Sequence, residues 1–189
     1  MDTSAARSDL ALVDRILQDV DRTLNMPPLI LLAWGLFAAI VNGVQQARAV
    51  GLPVPSDGSF QLPLMLLAIG ISVWAARRDG TGRETQIDSQ AGITFSVAFG
   101  VLLLLNLTAQ HRVIPADAMS LFWAGGMSIA LLVVGLQASR PLLCGGVALL
   151  AAAAVASFVP AGFHGTLAAG WVAGLVVPAI VLWVRRGRG

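Results

Sequence analysis

Apolar positions follow two different rhythms along this chain. Between Ser8 and Leu24 they recur at three- and four-residue steps, at Leu10, Val13, Leu17, Val20 and Leu24, with Leu12 and Ile16 widening the stripe. Asp9, Asp14, Arg15, Asp19, Asp21 and Arg22 fill the remaining positions. That spacing places the apolar side chains on one side of a helix and the charges on the other. Ser4 or Ser8 offers a cap, and Pro27-Pro28 ends the helix while suiting the first turn of the next one.

From residue 29 onward that rhythm gives way to runs nearly free of charge, at 29–48, 60–76, 91–109, 118–137, 142–159 and 166–184. Each is roughly the 17–25 residues that a helix needs to cross the hydrocarbon of a bilayer. Arg48 closes the first run, and the second is the shortest, with Pro63 near its start. Lipid offers no partner for a free backbone N–H or C=O, so helices are the default there. Stretches such as GVLLLLNL do not alternate as a barrel strand would. The pattern predicts an all-α polytopic membrane protein. Residues 27–189 form a six-transmembrane-helix bundle, and residues 1–26 supply an N-terminal amphipathic interfacial helix.

Composition strengthens the lipid reading. Of 189 residues 57% are hydrophobic and 12% charged, where a soluble domain carries about a quarter charged. Every one of the 12 basic residues is Arg. With the N-terminus inside, the inner segments hold Arg7, Arg15, Arg22, Arg77, Arg78, Arg83, Arg140, Arg185, Arg186 and Arg188, and the outer ones only Arg48 and Arg112. Such an excess orients a multi-pass protein with both ends in the bacterial cytoplasm. Trp74 and Trp183 sit beside two of the arginine clusters, as interfacial anchors do. The opening segment lacks the basic start and short apolar core of a signal peptide, so no cleavage is expected.

The same charges limit the partners. A pI near 9.9 arises from few groups without a basic face, so no nucleic acid partner is expected. The amphipathic segment holds two more Asp than Arg between residues 2 and 22. It is suited to the Arg-rich inner loops or to a membrane-protein partner more than to anionic headgroups. Cys144 is the single cysteine, which rules out an internal disulfide, and no Cys/His cluster suggests a metal site.

Small residues point to close helix packing. Gly170 and Gly174 form a GxxxG pair, Gly126 and Ala130 a similar one, and Cys144, Ala148, Ala152 and Ala156 a four-residue stripe. Such faces let backbones approach, either inside one bundle or between the copies of a homo-oligomer. Pro178 denies the carbonyl of Gly174 its usual partner, which means a tolerated kink or the helix break of a transport site.

Candidate chemistry is confined to the span ends. No Asp, Glu, Lys, Arg or His lies near the middle of any run, which argues against a proton relay or ion pump. Asn42, Gln45, Gln46, Gln61, Asn106, Gln110, His111, Trp123 and His164 gather toward the outer ends. Asn42, Gln46, Asn106, Gln110, His111 and Trp123 are the candidate ligand residues, able to line an outward vestibule through amide hydrogen bonds. The competing reading is a headgroup belt, with Asn42 and Asn106 deepest and most in need of partners. His111 and His164 lie at the edge, unlike axial haem ligands in facing helices, and no cofactor is expected. Ser128 in GMSIA lacks a His or Asp to activate it, so no catalytic residue is assigned.

An acidic amphipathic helix followed by PPLILLAWGLFAAIVNG and five further short-looped spans resembles, in layout, small six-span bacterial inner-membrane proteins of unassigned activity. The layout is also similar to that of the substrate-binding membrane subunits of energy-coupling-factor vitamin transporters, apart from the acidic leading helix. The first resemblance implies location and span number; neither rests on a motif. The expected function is therefore an accessory, scaffold or regulatory membrane component without catalysis. The alternative is a protein that binds or transports a small solute through the outer vestibule.

Overall fold

The structure, a computed structural model, describes residues 27–55, 57–79, 86–110 and 116–186, of which 57, 58, 79, 86–90, 106–110, 116, 138 and 186 are described by their backbone alone. The amphipathic helix expected before residue 26 lies outside this set. The described residues are helical or in short turns, with no strand among them.

Among the described residues six helices follow one another. They are α1 (Pro28–Ala49), α2 (Asp57–Asp79), α3 (Gln86–Gln110), α4 (Ala116–Ala138), α5 (Arg140–Ala156) and α6. A 3₁₀ turn at Pro160–Gly162 leads into α6, which runs through Phe163–Trp171, a π-helical Val172–Val176 and Val177–Arg186. Pro28 occupies the first turn of α1, where its missing N–H costs nothing. Pro63 is absorbed inside α2 without ending it.

Among the described residues four segments are long and apolar enough to cross a membrane: Pro28–Ala49, Ser59–Arg78, Asp117–Gln137 and Pro160–Arg185. The apolar parts of α3 (Ala91–Leu105) and α5 (Arg140–Ala156) are shorter. The fifth run was expected to stay helical to 159, yet α5 ends at Ala156 and Ser157-Phe158 turn. Pro160 is the physical reason: its ring clashes with the carbonyl four residues back, so the chain leaves the helix before it.

Neighbouring helices run antiparallel. Trp34 of α1 meets Ser72 of α2, and Gly126 of α4 faces Leu102 of α3. Gly135 of α4 lies against the backbone of Leu143 in α5. Gly170 of α6 meets Ala152 of α5, and Gly35 of α1 meets Leu175 and Val176 of α6. The most extensive pairings are α1 with α6, α4 with α5, joined through the single residue Ser139, and α5 with α6. α2 rests chiefly on α1 and α3 chiefly on α4. Antiparallel packing gives the bundle two distinct ends. Arg77 and Arg78, Arg140 and Arg185 share the end where α1 starts, and Arg48 stands at the other.

The interior is lined by Leu31, Ala124, Leu131, Val134, Leu142, Leu149, Leu167, Trp171 and Leu175. Outside, the helices present large apolar side chains: Leu62, Leu66, Leu67 and Val73 on α2, Ile93, Val97 and Leu104 on α3, Phe122, Ile129 and Leu136 on α4. A water-soluble monomer rarely exposes an apolar surface this continuous.

Candidate functional site at the α1–α6 end

The last turns of α1 carry Asn42, Gln45 and Gln46. Residues three and four apart are neighbours on a helix surface, so these three amides form one patch. The patch bears on the start of α6, whose first N–H groups have no partner within their own helix. Gln46 supplies one: its Oε1 accepts from the Gly165 N–H at 2.9 Å. Its Nε2 donates to the carbonyl of Ala161, also at 2.9 Å. Both ends of this amide are thus occupied in tying α1 to α6.

Asn42 is 6% exposed. Its Nδ2 donates to the Ala38 carbonyl one turn back, at 2.9 Å, which leaves Oδ1 buried without a partner. Gln45 Oε1 is likewise buried and unpartnered. On α6, His164 Nε2 lies 3.2 Å from Asp117 Oδ1 at the start of α4, with side chains 14% and 66% exposed respectively. An ionised carboxylate only accepts, so Nε2 is the nitrogen that carries hydrogen in this contact. Nδ1 is buried with no partner, and Phe163 meets the ring edge-on at 4.9 Å.

Deeper in the bundle an aromatic chain crosses three helices. Trp34 of α1 packs edge-on to Phe99 of α3 at 5.4 Å, and Phe99 to Trp123 of α4 at 5.5 Å. The Trp34 indole donates to Ser72 Oγ at 3.1 Å, and that hydroxyl donates to Ala68 O at 2.8 Å. Trp123 therefore belongs to a packing seam.

Of the candidate ligand residues, Asn42 and Gln46 share the α1 face against α6, and Trp123 sits in the aromatic chain on α4. Asn106 and Gln110 fall in the last turns of α3, at the same end by backbone, while His111 lies outside the described residues. The His164–Asp117 contact and Gln45's buried oxygen were not singled out from sequence. A usable signal existed: His164 and Asp117 each stand at the start of an apolar run that enters from the same side.

The small residues fall mainly inside the chain's own bundle. A Cβ on Gly174 would lie 2.8 Å from Leu149 Cβ and 3.1 Å from Gly145 O, and one on Gly126 would lie 2.8 Å from Leu102 Cδ2. Ala130 and Ala156 are buried and Ala148 and Ala152 half-buried, while Cys144 stands on the exposed side of α5. The buried side of α5 is Leu142, Gly145, Gly146, Leu149, Ala153 and Ala156. Pro178 is accommodated by the π-helical turn, where the Val177 N–H reaches the Val172 carbonyl five residues back. Ser128, fully buried, donates to Ala124 O at 2.6 Å. Among the described residues no three His, Cys, Asp or Glu side chains come together as a metal site.

Comparison of the chain with known protein families, with curated proteins and with solved structures finds no match.

Proposed function

We propose that this chain is a six-span protein of the bacterial inner membrane, with both termini in the cytoplasm, acting as an accessory, scaffold or regulatory component without catalysis of its own. One observation carries the membrane assignment: large apolar side chains face outward while glycines make the closest helix approaches inside. Lipid as solvent accounts for that arrangement, because close packing between small residues replaces the missing hydrophobic drive. The α5 helix, about 25 Å long at 1.5 Å per residue, reaches most of the way across, and the apolar Ala91–Leu105 of α3 is extended at both ends by the rest of its 25-residue helix. The arginine-bearing helix ends gathered on one side support the orientation. Carbonate extraction and reporter fusions at both termini test this reading: a chain released from membranes, or a terminus active in the periplasm, overturns it. For the scaffold role, crosslinking in native membranes recovers a stoichiometric membrane-protein partner. Its absence, alongside a saturable thermal shift with a metabolite, favours the second reading.

That second reading is a small-solute binding or transport protein using the α1–α6 end. The buried, unpartnered oxygens of Asn42 and Gln45 favour it, since such groups cost free energy until a donor reaches them.

A further inference from the structure

Among the described residues, three buried polar atoms at the α1–α6 end have no hydrogen-bond partner: Asn42 Oδ1, Gln45 Oε1 and His164 Nδ1. Their chemistry is uniform. The Asn42 amide is oriented by its Nδ2 bond to Ala38 O, so oxygen is the free atom. Imidazole Nε2 carries hydrogen toward Asp117, so in the neutral ring Nδ1 is a lone-pair acceptor. All three are acceptors. They also lie at one end of the bundle: Gln45 and Asn42 are three residues apart on α1, and Gln46 fastens that turn to Gly165, the residue after His164.

An unmatched buried acceptor costs free energy, and three at one end of the bundle define what would relieve them. Water brings two donors and two lone pairs, so it adds acceptors of its own to a site already rich in them. A primary ammonium brings three N–H donors and no acceptor. Charge agrees with this choice. The Asp117 carboxylate stands behind the imidazole, 3.2 Å from Nε2.

We propose that Asn42, Gln45 and His164 form a subsite for a primary ammonium group, R–NH₃⁺, at the end of the bundle where α1 stops and α6 starts. Two sources carry this chemistry: the ethanolamine headgroup of a lipid and a free small amine. The headgroup source rests on the membrane reading above. The free-amine source deepens the solute reading.

The test uses the full chain in nanodiscs of phosphatidylcholine, whose quaternary nitrogen has no N–H, and in nanodiscs with half of that lipid replaced by phosphatidylethanolamine. If the headgroup is the ligand, the unfolding midpoint rises by about 3 °C or more with phosphatidylethanolamine. That rise disappears in Gln45→Ala, a mild change that spares the deeper Asn42 should Asn42→Ala fail to fold. If a free amine is the ligand, methylammonium stabilises the chain saturably in phosphatidylcholine discs and tetramethylammonium does not. Gln45→Ala then weakens methylammonium about tenfold. Equal midpoints in both lipids with no saturable methylammonium effect overturn the subsite. So does a response to either source that survives Gln45→Ala. Recovery of the chain as a water-soluble monomer overturns the membrane reading instead, and the same methylammonium titration in buffer still decides the subsite.

Discussion

The side-chain oxygen of Gln46 lies 2.9 Å from the backbone nitrogen of Gly165, so the last turn of α1 caps the first turn of α6 across 119 residues of chain. The other end of the same amide holds Ala161 O. Gln46→Ala removes both bonds, and the expected loss is about 1–2 kcal/mol, since a net hydrogen bond contributes roughly 1 kcal/mol. Gln46→Glu keeps an acceptor where the helix start favours negative charge, but turns an oxygen toward the Ala161 carbonyl, so about half the loss is expected. Unfolding midpoints in detergent measure the ranking. Hydrogen exchange at the Gly165 amide measures the contact itself, and unchanged exchange in Gln46→Ala would show that the cap contributes nothing.

Gly145 approaches α6 so closely that a Cβ there would overlap Gly174 O and fall 2.7 Å from Pro178 Cγ. Neither a backbone carbonyl nor a proline ring can swing aside. Gly145→Ala should therefore separate α5 from α6 and cost about 1–3 kcal/mol, the usual penalty of overpacking. Gly43→Ala is the internal control: a Cβ at Gly43 meets nothing within 4 Å, and helix propensity favours alanine by up to about 1 kcal/mol. Equal unfolding midpoints for the two variants would contradict the close approach.

Ser128 is fully buried, and its hydroxyl returns to the Ala124 carbonyl of its own helix at 2.6 Å. That carbonyl is already part of the helical ladder, so Ser128→Ala leaves no orphan and should change stability by less than about 0.5 kcal/mol. A fluorophosphonate probe should leave the protein unlabelled. Covalent labelling lost in Ser128→Ala would assign the hydroxyl a reactivity that its contacts do not suggest.

Element type was legible because it depends on local pattern. A run free of charge, interrupted by Arg48 or by Arg77-Arg78, marks a helix whatever surrounds it. The end of α5 was less so: Pro160 was visible, but the uncharged Ser157-Phe158-Val159 before it resembled more helix. The site was legible only as a list of polar residues near one end. Asn42 and Gln46 look alike in sequence, both amides on one face of α1, yet one keeps a bare oxygen and the other has none. That difference is set by Ala161 and Gly165, more than a hundred residues away, and no spacing on α1 encodes it. GxxxG behaves in the same manner. Gly170 and Gly174 announce a close approach, but Ala152, Leu149 and Gly145, which receive it, are fixed by how α5 and α6 turn toward each other. With both glycines engaged inside the chain, a homo-oligomer through that face would require α5 to move away.

The contact between Trp34 and Ser72 yields the last prediction. α2 leans chiefly on α1 and exposes most of its apolar side chains, so the 3.1 Å bond from the indole to Ser72 Oγ is a specific polar tie between them. Trp34→Phe also trims the ring that packs on Phe37 and Phe99, so its cost alone does not isolate the bond. A double-mutant cycle does. Ser72→Ala strands an indole N–H, Trp34→Phe removes it, and the pair together should lose about 1 kcal/mol less than the two single losses added. Trp34→Phe with Ser128→Ala, which share no bond, should add within about 0.5 kcal/mol. Hydrogen exchange should quicken along α2 in Ser72→Ala and stay unchanged in α5. If both pairs prove additive, the bond contributes nothing, and α2 is held by its apolar contacts alone.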